Sequence, residues 1–151
     1  MPSPRFYCFL AFSAVTALTA CAHIDIRKEV VSTKDAPAAI GPYSQAIRAG
    51  NMLFLSGQIP IDPKTNQLMT GTIEEQTKLV IENLRSVLEA NAMTLADVVS
   101  TQVYMKDLNE FPRMNAVYGT YFKENPPARA TVEVARLPRD VKIEIAAIAA
   151  K

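Results

Sequence analysis

The chain has 151 residues, 49% hydrophobic and 21% charged, a composition that suits one globular domain. Its formal net charge of +1 includes Arg5, which lies in a segment expected to be removed, so the remaining chain is nearly neutral. Because nucleic-acid-binding domains usually carry clustered Lys and Arg, this composition argues against nucleic acid as a partner.

The N-terminus has the pattern of a secretory signal. Arg5 precedes an almost wholly apolar run over 6–17, too short to span a bilayer, and Leu-Thr-Ala-Cys at 18–21 resembles a bacterial lipobox. We predict a signal peptide over 1–20, lipidation at Cys21 and a tether over 21–32. The domain at 33–151 would then face the periplasm, with the lipid as its only membrane contact. The alternatives are an uncleaved anchor or an extended start on a cytoplasmic protein.

The inventory of reactive residues is short. The two cysteines, Cys8 and Cys21, and the one histidine, His23, all precede the domain. A disulfide, a zinc cluster, a nucleophilic thiol and a Ser-His-Asp triad are therefore not expected there. No dinucleotide or phosphate-cradling glycine loop is present, and we expect neither a metal nor a cofactor.

The first half of the domain predicts three strands and a helix. Residues 30–33, the segment entered at Ile47 and residues 52–56 have strand patterns, and Asn66 can take the left-handed conformation in the turn that follows. Thr72 and Glu75 form a capping box. The helix that follows has its apolar residues at helical spacing: Val80, Ile81, Leu84, Val87 and Leu88.

The second half predicts a strand over 98–105, a helix and two closing strands. The helix begins after Asp107 or Asn109, with Asn115 inside its apolar stripe of Phe111, Met114, Tyr118 and Phe122. The order β-β-β-α-β-α-β-β predicts an α+β fold, a single sheet with both helices on one face. The uncovered sheet face then favours an oligomer.

Two charged residues stand out in the closing strands, which otherwise have the pattern of buried strands. In the first, predicted over 131–135, alternation puts Val132 and Val134 on one face and Arg129 on the other; in the second, Glu144 lies opposite Ile143. Arg129 suits bidentate carboxylate binding, or an ion pair with a neighbouring glutamate. Glu144 suits proton transfer to or from water, or is a solvated edge carboxylate. We expect both side chains to converge on a crevice between protomers.

Four further residues are weaker candidates. Asn115 offers an amide donor and acceptor, or is a satisfied core asparagine. Tyr43 in GPYSQ contacts a ligand or packs at a turn. Ser56 and Gly57 end a strand where backbone amides become available, although a plain turn explains them nearly as well.

Five segments together carry a resemblance to the RidA family of enamine/imine deaminases: APAAIGPYSQA, FLSGQIPIDPKT, YMKDLNEF, MNAVYGTYF and PPARATVEVARLPRDVKIEIAAIA. The resemblance implies a chorismate-mutase-like fold, homotrimers with clefts between subunits, and cofactor-free hydrolysis of 2-imino acids to 2-oxo acids and ammonia. The substrates implied are 2-iminopropanoate and 2-iminobutanoate.

The resemblance also implies roles for individual residues. Arg129 matches the carboxylate-binding arginine and Glu144 the water-handling glutamate. The ligand-contacting tyrosine, serine and asparagine match Tyr43, Ser56 and Asn115, and Gly57 matches a position whose backbone faces the ligand. Two departures are Thr131, where the family often has a cysteine although a hydroxyl can still bond a ligand, and a shorter loop before Pro126.

The alternative function is a non-catalytic trimer that binds small carboxylates or acts as a chaperone. A ribonuclease or translation inhibitor is disfavoured by the near-neutral charge, the predicted export and the domain's lack of histidine.

Overall fold

The computed structural model describes residues 27–151. The predicted signal peptide, the predicted lipobox with Cys21, His23 and most of the predicted tether lie outside these residues. The helices and strands are β1 (Lys28–Val31), β2 (Ala46–Ala49), β3 (Met52–Gln58), α1 (Ile73–Glu89), β4 (Val98–Met105), α2 (Phe111–Tyr121), β5 (Ala128–Glu133) and β6 (Ile143–Ala150). The predicted order of strands and helices is confirmed, and β1 lies within the segment assigned to the tether.

The strands form one mixed sheet in the order β1-β2-β3-β6-β4-β5. All neighbours are antiparallel except β4 and β5, which are parallel and joined through α2. A parallel pair needs such a crossover, because a tight turn reverses the direction of the chain and can join only antiparallel strands. This connection carries α2 across the edge strand β5.

Both helices pack on the same face of the sheet. The capping box is present, since Thr72 Oγ1 accepts from Glu75 N and Thr72 N donates to Glu75 Oε2. The predicted apolar stripe of α1 is buried. It packs on the inward side chains of the central strands, which are Leu53, Leu55, Val103, Met105, Ile143 and Ile145. The opposite face is open in a single chain, where Phe54 and Val132 are 42% and 45% exposed.

Three sequence predictions need correction. β1 ends at Val31 rather than Thr33, and β5 runs over Ala128–Glu133 rather than 131–135, leaving Val134 outside the strand. β5 is an exposed edge strand and not the buried strand that its sequence suggested. Because β5 has a neighbouring strand on one side only, few of its side chains are buried, and its sequence need not alternate between apolar and polar residues.

One local prediction is confirmed: Asn66 adopts the left-handed conformation, with φ of 55°. The helix predicted to begin after Asp107 or Asn109 begins at Phe111 instead. A separate 3₁₀ turn at Leu108–Glu110 precedes it, and Asp107 caps this turn by accepting from Asn109 N. Within residues 27–151, no helix has the length and apolar character needed to cross a bilayer.

Candidate active site

Arg129 lies on β5 beneath α2, where three side chains of that helix surround it. Its Nη2 donates to Asn115 Oδ1 at 2.8 Å. Its Cζ lies 4.5 Å from the ring centroid of Tyr118 and 5.6 Å from that of Phe111, which are cation–π distances. We call these four residues the Arg129 cluster. Asn115 is exposed, so it is neither part of the buried stripe nor a core asparagine.

The Arg129 cluster leaves the guanidinium without an anionic partner. No carboxylate in the described part of the chain lies within ion-pair distance of Arg129, so the alternative of an ion pair with a neighbouring glutamate is wrong. Burial raises the pKa of Tyr118, whose hydroxyl bonds Thr101 Oγ1 at 2.8 Å, so its ring stays neutral. A guanidinium that lies against two rings and has no carboxylate partner is available to bind an anion.

Thr131 lies two residues further along the same face of β5. Its Oγ1 is buried and has no hydrogen-bond partner within the structure. A buried unpaired hydroxyl is unusual and unfavourable by itself. It is therefore available to bond a ligand next to Arg129.

Glu144 lies on β6 and lines a pocket of about 480 Å³. We call this cavity the Glu144 pocket; its walls are Ile40, Tyr43, Ser56, Gly57, Ile59, Pro138 and Glu144. Burial raises the pKa of Glu144 above its ordinary value. Its carboxylate makes no ion pair or hydrogen bond to other described residues, so its proton can be exchanged with a ligand or water.

Gly57 sets how closely β3 approaches Glu144. A Cβ built on Gly57 would overlap Glu144 Oε1 and lie 2.9 Å from its Cδ. The β3–β6 pairing shifts register between Leu55 and Gln58, which makes room for this approach. A side chain at position 57 would therefore displace the Glu144 carboxylate. Gly57 also lies inside β3, which ends at Gln58, and not in a turn at the strand's end as expected.

Tyr43 and Ser56 complete the polar wall of the pocket. Tyr43 is 53% exposed, and its hydroxyl accepts from Ile40 N at 3.3 Å, so its own proton is free to be donated. Ser56 Oγ donates to Ser44 O at 2.6 Å and can only accept from a ligand.

The Arg129 cluster and the Glu144 pocket lie on opposite faces of the sheet. Arg129 pairs with Thr101 of β4, which in turn pairs with Ala147, and both of these are buried beneath the helices. Glu144 pairs with Tyr104, three residues from Thr101, and so faces away from the helices. Within one chain the two side chains therefore do not meet, and the crevice expected between protomers stays a prediction.

Several site residues were missed at the sequence level. Phe111 and Tyr118 were assigned only to packing, although with Asn115 they follow at spacings of four and three along one edge of α2. Pro138 and Ile40 come from loops and carry no periodic signal. Within residues 27–151 no group of three or more potential ligand side chains could hold a metal ion.

Comparisons with known proteins agree with this fold. The family model described as Endoribonuclease L-PSP matches residues 33–151. A RutC family protein of Pyrococcus horikoshii is 58% identical over 124 residues, covering 82% of this chain and 98% of the relative. The 2-iminobutanoate/2-iminopropanoate deaminase of Escherichia coli is 46% identical over 126 residues, with the same coverage.

Solved structures show the same architecture. The crystal structure of E. coli TdcF with bound serine has a TM-score of 0.78 and 40% identity, covering 82% of this chain and 98% of that one. This chain has a single mixed sheet with two helices on one face, and the family match extends through all of β2–β6. The chain belongs to the Endoribonuclease L-PSP family, which includes the RidA, YjgF and RutC proteins.

Proposed function

We propose that this protein is a hydrolytic deaminase that converts 2-imino acids and their enamine tautomers to 2-oxo acids and ammonia. 2-Iminopropanoate and 2-iminobutanoate are the reference substrates, by similarity to the E. coli deaminase. The observation that carries the proposal is the pair of complementary half-sites, an unpaired guanidinium on one sheet face and a carboxylate of raised pKa on the other.

The chemistry of each half-site suits this reaction. Arg129 would bind the substrate carboxylate, with Asn115 fixing the guanidinium plane. Water then adds to the C=N carbon, and the nitrogen takes up a proton to give a carbinolamine. The C–N bond breaks as its electron pair leaves with ammonia, and the hydroxyl loses its proton to form the C=O bond. Glu144 would transfer protons between water and nitrogen.

The proposed site requires two copies of the chain. One copy would contribute its Arg129 cluster and a second copy its Glu144 pocket, because the two are on opposite faces. The open sheet face, with exposed Phe54 and Val132, offers an apolar surface for this contact. We propose that the assembly is a homotrimer with a ligand cleft at each interface.

The test combines single variants with a mixing experiment. We expect Arg129→Ala and Glu144→Gln each to lose at least a hundredfold in kcat/KM for ammonia release from 2-iminopropanoate. Mixing the two inactive variants, followed by subunit exchange, should restore activity, since some interfaces then combine an intact Arg129 with an intact Glu144. Arg85→Ala, on the solvent side of α1, is the matched control and should stay active. Full activity of Arg129→Ala refutes the mechanism.

A non-catalytic carboxylate-binding trimer is the second candidate. TdcF was crystallised with bound serine, an amino acid that offers no C=N bond to hydrolyse. Binding of 2-oxobutanoate that depends on Arg129, without ammonia release from any imine, would favour this function. Near-neutral charge does not favour the RNA cleavage in the family's description.

We also propose that the protein is an exported lipoprotein anchored through Cys21 and facing the periplasm. The support is the apolar run and lipobox pattern of residues 6–21. The full-length protein should sediment with membranes, and Cys21→Ala should abolish lipid labelling. A cytoplasmic protein that retains residues 1–20 would refute this proposal.

A further inference from the structure

A second cavity of about 260 Å³ adjoins the Glu144 pocket. The two cavities share five wall residues, which are Ile40, Tyr43, Gly57, Ile59 and Pro138. Six residues line only the second cavity of the two: Pro37, Ala38, Gln45, Gln58, Ile61 and Arg139. We call this second cavity the side-chain slot, because the side chain of a molecule bound beside Glu144 could extend into it.

The side-chain slot presents mainly aliphatic surface. Its walls are chiefly proline, alanine and isoleucine. Two amides also line it. Gln45 is engaged with the loop at 33–37: its Nε2 donates to Thr33 O, Ala36 O and Pro37 O, and its Oε1 accepts from Thr33 N. Gln58 Nε2 donates to Ser56 O at 3.3 Å. The Gln45 bonds hold the wall at Pro37 in place. The slot is therefore suited to an apolar group and keeps its shape without a ligand.

The slot is too large for the side chains of the reference substrates. A methyl group is about the size of a water molecule, whose share of liquid volume is about 30 Å³. A methyl or ethyl side chain would leave most of the 260 Å³ unfilled. An isobutyl or similar group would cover far more of the aliphatic wall, and each added methylene buried there favours binding roughly fourfold.

We propose that the slot receives the substrate side chain and that this protein prefers 2-imino acids with leucine-sized apolar side chains. The inference rests on the proposed deaminase function and specifies its substrate class. Arg139, which is exposed, also borders the slot, so a dicarboxylic substrate is the competing possibility for the test to decide.

The test uses two neighbouring alanines. Ala38 lines the slot, whereas Ala39 is also exposed but lines neither cavity. Wild-type kcat/KM should be at least tenfold higher for the leucine-derived imine than for the alanine-derived imine. Ala38→Leu should remove this preference by lowering kcat/KM for the leucine-derived imine, and Ala39→Leu should keep it. Ala38→Val serves if Ala38→Leu misfolds.

The outcomes separate the two proposals. An equal or reversed preference in the wild type, or a preference unchanged in Ala38→Leu, overturns the slot proposal alone. So does preference for the glutamate-derived imine over the leucine-derived one. If the wild type hydrolyses no imine, the deaminase function is refuted. The binding of 2-oxo acids then tests the slot proposal. Tighter binding of 4-methyl-2-oxopentanoate than of pyruvate then supports it, and equal binding refutes it.

Discussion

Replacing Gly57 by alanine tests whether its close approach to Glu144 positions the carboxylate to which we assign proton transfer. The added Cβ would overlap Glu144 Oε1 and lie 2.9 Å from Cδ and 3.1 Å from Cγ. Carbon atoms pack best at about 3.5–4.0 Å, so Cδ has to retreat by roughly 0.6–1.1 Å. The obstacle is the end of a flexible side chain, so we expect the backbone of β3 to stay in place.

The expected result is a functional loss without a matching loss of stability. A misplacement of about 1 Å at a reacting group can reduce the rate about a hundredfold. Gly57→Ala should therefore lower kcat for 2-iminopropanoate by about that factor, measured as ammonia release. The free energy of unfolding should change by less than about 1 kcal/mol, since Gly57 does not have a positive φ.

Gly119→Ala is the matched control for this experiment. Gly119 lies in α2, and a Cβ there meets nothing within 4 Å. The control should keep full activity and gain about 0.5–1 kcal/mol of stability, because glycine is unfavourable inside a helix. Wild-type kcat in Gly57→Ala would refute the assigned role of the Gly57–Glu144 contact.

Three further variants probe individual groups. Thr131→Val should raise the free energy of unfolding by about 1 kcal/mol in urea denaturation and weaken 2-oxo acid binding, because Oγ1 is buried and unpaired; destabilisation would contradict this. Glu144→Gln should raise Tm at pH 7 but not below the ordinary carboxyl pKa of 4.5. The reason is that burial raises the pKa of Glu144 in the folded state. The contribution of Glu144 to stability is therefore most favourable below the unfolded pKa and is lost as pH rises through the folded pKa. Equal Tm shifts at both pH values would refute this reasoning. Gln45→Leu should lower the unfolding free energy by about 2–3 kcal/mol in urea, since Thr33 N and three carbonyls lose their partner; an unchanged midpoint would contradict it.

The local parts of the fold were predictable because they depend on contacts close in sequence. The capping box at Thr72 and the helical stripe of α1 need only neighbours within one or two turns. β4 was predicted over its full range, 98–105, since it is a central strand whose burial alternates. The edge strand β5 lacked that alternation, and its start was misplaced by three residues.

The site was predictable as a set of residues but not as an arrangement. Arg129 and Glu144 were recognised because charges in closing strands are unfavourable without a use. Their placement on opposite faces depends on the registers of both strands with β4, which are long-range pairings. The rings around Arg129 depend on where the crossover helix lies over β5, a feature without a local sequence signal.

The separation of guanidinium and carboxylate by the thickness of the sheet links catalysis to protein concentration. Under the proposed assembly, an isolated protomer retains its folded core and both groups, yet cannot act on a substrate molecule. Turnover per chain should then fall on dilution as mass action dissociates the subunits, while circular dichroism remains unchanged.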